Sequence, residues 1–225
     1  MIFEVSQTWK LTYPGASVGV LAMRNVANPP RHAGLDLEKE ALVDQLRSRF
    51  AGQDRARLET LPVLQAYAGY YKRFKKTYHV QLQLESILFK SKTIPSVAAL
   101  VEAMFMAEVK NLLLTAGHDL DTLRQPVVLD VANGEESYIL LRGQPQQTKA
   151  GDMLISDGDG IISCIIYGPD QRTQICETTQ NVLFTVYAPP GIGGEAVSGH
   201  LQDIERYVRL VAPAAQVELL KVFGA

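Results

Sequence analysis

Cysteine is scarce in this chain: Cys164 and Cys176 are the only two among 225 residues. They share no CxxC spacing, and no two histidines stand at metal-finger spacing, so neither a metal site nor a disulfide framework is expected. Two cysteines can form one disulfide, but reduced thiols are the expectation in a cytoplasmic protein. No apolar stretch approaches the roughly 20 residues that span a bilayer. The start, MIFEVSQTWKL, lacks a basic region followed by an apolar run. The reading is therefore cytoplasmic, with no leader and no membrane partner. An excess of positive charge is also missing: 22 Lys+Arg against 24 Asp+Glu give a net charge of -2. That balance argues against gripping nucleic acid by bulk charge, and no DNA partner is expected, although a local basic patch remains compatible. Nucleophile motifs are absent as well. The chain has no GxSxG, no Cys beside a basic group and no paired carboxylates on one helix face. An enzyme made from it would activate water by positioning, and no cofactor is expected. Neither internal repeats nor low-complexity stretches occur.

What is present is ordinary for a globular protein, with 47% hydrophobic and 20% charged residues. The length fits one large domain or two small ones. Ile2–Val5 and Ser17–Met23 read as strands. Asp36 looks like an N-cap for a helix over 37–50, with Leu42, Val43, Leu46 and Phe50 on one face. Pro62 opens another helix, in which Leu64, Tyr67, Tyr71 and Phe74 recur at helical spacing. Residues 80–90 fit either a strand or a helix. Pro95-Ser96 starts a long apolar helix, with Ser96 as its N-cap and Gly117 as its natural stop. Strands follow at Pro126–Ala132, at 136–141 across an Asn133-Gly134 hairpin turn, and at 152–156 and 161–167. A short run at 172–176 leads to a strand over Val182–Tyr187. After a Pro-Gly linker, Val197, Leu201, Ile204, Val208 and Val211 mark an amphipathic helix, and Val217–Phe223 reads as a last strand. Hairpin-spaced strands bracketed by helices argue for an α+β fold of mostly antiparallel sheets.

The chemistry-bearing residues concentrate between Ile94 and Pro190. Asp157-Gly-Asp-Gly starts like a calcium loop, but its twelfth position is Gly168 where a Glu is required, so it reads as a polar turn. Gly191-Ile-Gly-Gly lacks the Lys and Ser/Thr of a phosphate loop and reads as a linker. His118, next to Asp119, can orient a water or hold a ribose hydroxyl, or can cap a turn. Asp170, Arg172 and Thr173 can fix an amine or hydroxyl of a ligand, or make one surface ion pair. Lys72, Arg73, Lys75, Lys76, Lys90 and Lys92 are interleaved with Tyr70, Tyr71, Phe74 and Tyr78. This suits RNA, with cations for phosphates and rings for stacking; alternatively the rings belong to the core beneath a solvated face.

The order of motifs resembles a known family. IPSVAALVEA, GHDLDTL, NGEESYILLRGQ, GDMLISDGDGI and YGPDQRTQICETTQNVLF follow one another as in the editing module of the phenylalanyl-tRNA synthetase beta chain, the B-three/B-four or tRNA-binding domain. The free-standing proteins built from that module are more similar still. Asp119-Leu120-Asp121 matches the family's DLD-type turn, Gly134-Glu135 its GE strand, Leu154–Asp157 its strand ending in an acidic turn, and Thr179-Gln180-Asn181-Val182 its TQNV-type strand start. The resemblance covers about residues 60–190.

It implies a single domain over 1–225, with its core at about 60–190 and terminal extensions, built as a sandwich-like set of antiparallel sheets flanked by helices. It also implies a tRNA or aminoacyl-tRNA partner, with hydrolysis of mischarged aminoacyl-tRNA as the candidate activity and a non-catalytic module for tRNA or an amino-acid-like ligand as the alternative. In 225 residues there is no room for an aminoacylating core. By position, Asp170 corresponds to the family's Glu that reads a tyrosine hydroxyl. The family's His falls at Ala116, with His118 two residues on, and of its Asn-rich helix face only the acid is kept, as Glu102. The expected substrate-binding set is thus His118, Asp170, Arg172, Thr173, Glu102 and Phe105, converging on one cleft. The six basic residues are the expected RNA contacts.

Overall fold

Apolar periodicity sets the helices and near-continuous apolar runs set the central strands. A computed structural model of the chain describes residues 1–224. It opens with β1 (Phe3–Val5), α1 (Gln7–Thr12) and β2 (Ser17–Arg24). Five helices follow: α2 (Ala33–Arg49), α3 (Arg55–Leu58), α4 (Pro62–Lys72), α5 (His79–Phe89) and α6 (Ala99–Asn111). Then come β3 (Leu114–Asp119), β4 (Val127–Val131), β5 (Ser137–Ile139), β6 (Pro145–Gln147), β7 (Met153–Asp157), β8 (Gly160–Cys164), β9 (Gly168–Pro169) and β10 (Asn181–Ala188). The chain closes with α7 (Gly194–Val211) and β11 (Gln216–Gly224).

The strands form a five-stranded sheet in the order β1-β4-β7-β8-β9, a four-stranded sheet in the order β11-β2-β10-β3, and a small β5-β6 pair. All pairings are antiparallel except β1 with β4. β2 and β10 are buried almost throughout because both faces of their sheet are covered. On one face lies α7, whose Val197, Leu201, Ile204 and Val208 are buried at helical spacing. It packs so close that a Cβ on Gly19 of β2 would lie 2.6 Å from Val197 Cγ1, which is why that position carries glycine. On the other face the two sheets meet: Tyr187 of β10 bonds Ser163 of β8 through their hydroxyls at 2.5 Å. The fold is α+β with mostly antiparallel, sandwiched sheets flanked by helices. No helix among the described residues is long and apolar enough to cross a membrane.

Several local expectations are corrected. The helix expected to start at 37 begins at Ala33, and His32 caps it by accepting the Leu35 N–H. Asp36 sits inside its first turn and pairs with Lys39 at 2.8 Å. Residues 79–89 are helical, since Val80, Leu84 and Ile87 share a buried face. Ser96 caps nothing: α6 starts at Ala99 without a side-chain cap, and Ser96 accepts from Lys39 Nζ. Nor does Gly117 stop that helix. α6 ends at Leu112, which takes a left-handed conformation (φ 61°), and Gly117 lies inside β3. The Asn133-Gly134 turn does not make a hairpin from β4 to β5, because β4 pairs with β1 and β7 while β5 pairs with β6. Glu136 holds that turn by accepting the N–H groups of Asn133 and Gly134. The run at 172–176 forms no strand. Both cysteines are free thiols.

Candidate functional site

β3 is the edge strand of its sheet, so half of its backbone groups look away from β10. The N–H of Asp119 donates to the carbonyl of Thr173 at 2.7 Å, and the N–H of Thr115 donates to Glu108 Oε1 at 2.8 Å. Alternation along an antiparallel strand turns the Gly117 N–H toward the same open edge. There, between α6 and the segment following β8, lies a cavity of about 270 Å³. Met104 and Phe105 wall it from α6, Ile165 from the turn after β8, Pro169 from β9, and Ile175 from the loop before β10. Glu108, Thr115, His79, Gln174 and Tyr187 are the polar side chains of its lining, beside the β3 backbone.

The short α6–β3 connection builds this arrangement. The left-handed Leu112 reverses the chain within two residues, and its carbonyl accepts the Tyr78 hydroxyl at 3.1 Å. The last turn of α6 therefore lies over the start of β3, and the Glu108 carboxyl reaches a residue seven positions on. Glu108 is 1% exposed. Its second oxygen makes no hydrogen bond to any described residue, and burial pushes its pKa up to about 8, against the single Thr115 N–H. At neutral pH the cavity thus contains a protonated carboxylic acid. Behind Thr115, its hydroxyl meets His200 Nε2 at 2.7 Å; burial depresses the His200 pKa to about 3, so that ring is neutral.

His118, Asp170, Arg172 and Thr173 do come together, but as a filled knot. His118 Nδ1 lies 2.7 Å from Thr173 Oγ1. The Thr173 hydroxyl donates to Asp170 Oδ1, so His118 must donate through Nδ1, and the Thr173 N–H also reaches Asp170 at 3.1 Å. Burial depresses the His118 pKa to about 3 and raises that of Asp170. Arg172 grips Asp157 with two nitrogens, at 2.7 and 3.1 Å. Burial works against ionisation of Asp157, yet Arg172 and the N–H groups of Arg124 and Asp159 hold its carboxyl below the usual range. None of these four lines the β3-edge cavity. Asp170 and Arg172 border a separate cleft of about 330 Å³ beside Tyr138 and Gly160. His118, Thr173 and Asp170 thus form an internal brace between β3 and the 170–173 loop, while Asp170 and Arg172 also border that cleft. Glu102 is buried beneath α6, where it holds Lys39 Nζ at 2.7 Å and the Val97 N–H at 2.8 Å. It too is absent from the cavity. Phe105 does line it, as does Ala116, the position where the family resemblance calls for a histidine.

Lys72, Arg73, Lys75, Lys76, Lys90 and Lys92 are all exposed. The rings offered for stacking are mostly not. Tyr70, Tyr71 and Tyr78 are buried, with hydroxyls bonded to Asp152, the Ile165 carbonyl and the Leu112 carbonyl. Helical spacing placed those rings in the core, which removes the base-stacking version of the RNA reading for them. Arg73 lies over the rings of Tyr13, Phe74 and Tyr70 at 5.3 to 5.6 Å. No group of three or more His, Cys, Asp or Glu among the described residues is placed to hold a metal ion.

Sequence reasoning missed Glu108, Gly117 and Ile175. Glu108 carried a signal: it is a lone acid in MFMAEV, a stretch otherwise apolar. The other two contribute by packing and backbone direction, which a single sequence does not display.

Residues 64–221 match the family model described as the B3/4 domain, well over half of the chain. The chain belongs to the B3/4 domain family. The match runs from α4 through β11, beyond the 60–190 span of the motif resemblance. The B3/4 match therefore contains every wall of the cavity described above. Among solved structures, this B3/4 chain is similar to an N-terminal fragment of the phenylalanyl-tRNA synthetase beta-subunit from Pyrococcus horikoshii, at 11% identity and a TM-score of 0.48. The alignment covers 100% of this chain and 54% of that one, so the chain spans about half of the fragment's length. No curated protein matches the chain.

Proposed function

We propose that this B3/4 domain, acting as one unit, binds an apolar aminoacyl group carried on tRNA in the β3-edge cavity and hydrolyses its ester in trans. The observation that carries the reading is the placement of Glu108. A buried carboxyl in a mostly apolar cavity, raised to a pKa of about 8, is poised to exchange a proton near neutral pH. An aminoacyl ester brings an ammonium group, and a cation entering the cavity favours the ionised carboxylate. The carboxylate then draws a proton from a water whose oxygen bonds to the ester carbonyl carbon; the tetrahedral intermediate collapses with cleavage of the acyl–oxygen bond, and the leaving ribose oxygen takes that proton back from Glu108, giving free amino acid and tRNA. The carbonyl oxygen, becoming negative, finds a donor in the edge-facing Gly117 N–H. The apolar walls supply affinity in proportion to the side-chain area they bury.

A second reading, a binding module without turnover, is favoured by one specific observation. His118 and Asp170, the polar groups that the family resemblance offered for the site, are engaged with each other through Thr173 and do not line the cavity. Incubating the protein with a panel of mischarged aminoacyl-tRNAs separates the two. The lead reading expects faster release of amino acids with apolar side chains, lost in Glu108→Gln. Binding without any accelerated release leaves the module reading, and the absence of both removes the aminoacyl group as ligand.

A further inference from the structure

The end of α4 is crowded with positive charge: Lys72, Arg73, Lys75 and Lys76 fall within five residues. The fold brings a further cation to them from the turn before β7. A cleft of about 480 Å³ opens there, lined by Arg73, Phe74, Lys75, Lys149 and Ala150. Three of these five residues are cations and none is a carboxylate. Like charges repel, so their convergence has a cost that a bound anion removes. Of the acids in the flanking segments, Glu136 accepts from the Thr148 hydroxyl and from the N–H groups of Asn133 and Gly134. Asp152 accepts from the Tyr70 hydroxyl and the Ile166 N–H. Glu135 does not line the cleft.

Arg73 is the fixed member. Its guanidinium lies 5.3 Å from the ring centre of Tyr13, 5.6 Å from that of Tyr70 and 5.5 Å from that of Phe74. Such contacts engage the flat face of the group and leave its N–H edge, for which the cleft offers no carboxylate. The turn carrying Lys149 is fixed against the same cluster. The Tyr13 hydroxyl donates to the Gly151 carbonyl, and the Asp152 N–H donates to the Lys149 carbonyl at 2.9 Å. A Cβ on Gly151 would lie 3.4 Å from Arg73 Nη2, so the turn and the guanidinium are close neighbours. Lys75 follows α4 with a left-handed backbone (φ 56°), where glycine or asparagine fits with less strain. Local structure therefore does not account for a lysine at that position.

We propose that this cleft is a phosphate-binding site, in which Arg73 supplies a planar fork and Lys75 and Lys149 flank it as point charges. A guanidinium matches two phosphate oxygens at once, and an ammonium adds charge without a fixed direction. The phosphate belongs to an RNA backbone or to a small phosphorylated molecule. The α4–α5 connection, residues 73–78, lines this cleft at its start, and His79 just beyond its end lines the β3-edge cavity. Its length reaches at most about 20 Å, so one RNA strand can hold a phosphate in the cleft while its end lies at the cavity. That source rests on the aminoacyl-tRNA reading; the phosphate site itself does not.

The test titrates inorganic phosphate into isotope-labelled protein, beside a sodium chloride titration of equal ionic strength. It follows the Arg73 side-chain N–H and the backbone amides of Lys75, Lys149 and Gly151. Saturable shifts at these groups are expected with phosphate and not with chloride. Arg73→Lys keeps the charge but loses the fork, and should weaken phosphate binding by about tenfold or more. Lys149→Gln leaves the backbone bonds of the turn in place and should weaken it by about two- to fivefold. This second variant decides the matter if Arg73→Lys does not fold. Lys221→Ala, on β11, should change nothing. A single-stranded oligoribonucleotide that displaces phosphate, with a salt slope lowered by about 0.7 in Lys149→Gln, supports the site and assigns it to an RNA backbone. Phosphate binding that the oligoribonucleotide leaves undisturbed supports the site and assigns it to a small phosphorylated molecule. Shifts that do not saturate, that chloride reproduces, or that both variants leave unchanged overturn it. None of these readouts uses aminoacyl-tRNA, so the site can fail while deacylation stands, and the reverse.

Discussion

The Glu108 carboxyl accepts the N–H of Thr115 at 2.8 Å, joining the last turn of α6 to the edge strand that begins two residues beyond the helix cap. That contact fixes a titratable group in an apolar cavity, and the consequences can be measured.

The first is a pH dependence of stability. Burial raises the Glu108 pKa from 4.5 to about 8, so the folded chain holds a proton that the unfolded chain releases. Its contribution is fully present below pH 4.5 and is lost as the pH rises through 8. Denaturant unfolding at pH 5 and pH 8.5 should show this loss, on the order of a few kcal/mol. Glu108→Gln keeps an acceptor for Thr115 and should flatten the difference. Parallel curves for the two proteins would remove Glu108 as the cause.

The second concerns the cavity wall. A Cβ on Gly117 would lie 2.8 Å from Ile175 Cδ1. Because that atom is the end of a movable side chain, Gly117→Ala should cost only about 1 kcal/mol of stability. The displaced Ile175 should nevertheless lower affinity for an apolar aminoacyl analogue several-fold. Thermal unfolding and a ligand titration on the same variant check both halves; unchanged affinity would place the ligand elsewhere.

The third concerns the His118–Thr173–Asp170 brace. Thr173→Val strands two buried polar groups and should destabilise the protein by about 2–3 kcal/mol. Affinity for an aminoacyl analogue should stay within about twofold, since none of the three lines the cavity. A large loss of affinity in a folded Thr173→Val protein would restore these residues to the ligand site. The brace also carries an acid limit. The His118 pKa of about 3 lies below its ordinary 6.5, so its contribution is present above pH 6.5 and lost as the pH falls toward 3. His118→Gln should make the acid unfolding limb shallower.

The fourth concerns RNA. With a net charge of -2, tRNA binding should be weak and salt-sensitive, carried by Lys72, Arg73, Lys75, Lys76, Lys90 and Lys92. Neutralising all six should abolish binding, and each lost phosphate contact should reduce the salt slope by about 0.7–0.9. If affinity and slope persist, the RNA path lies over another face.

The fold was legible where one physical signal dominated. Period-3.6 patterns gave α4 and α7, and the apolar runs of β2 and β10 gave the middle of the four-stranded sheet. Boundaries failed where a tertiary contact outweighed a local rule. Ser96 is drawn to Lys39 and so does not cap α6, and a left-handed Leu112, accepting Tyr78, takes the stopping role expected of Gly117. The site was less legible for a related reason. Polar residues close in sequence, Asp170, Arg172 and Thr173, drew attention because they could meet a ligand, and they meet one another and Asp157 instead. Glu108 acquires its character from burial against β3, and only the lone acid in an apolar helix hinted at it.

The central claim is that the β3-edge cavity receives the aminoacyl group, and a structure of the protein with a non-hydrolysable, amide-linked aminoacyl adenosine tests it most directly. The account predicts the amino-acid side chain between Phe105 and Ile175, with its ammonium beside Glu108. An aminoacyl group bound at the Asp170–Arg172 cleft, or anywhere other than the β3 edge, would contradict it.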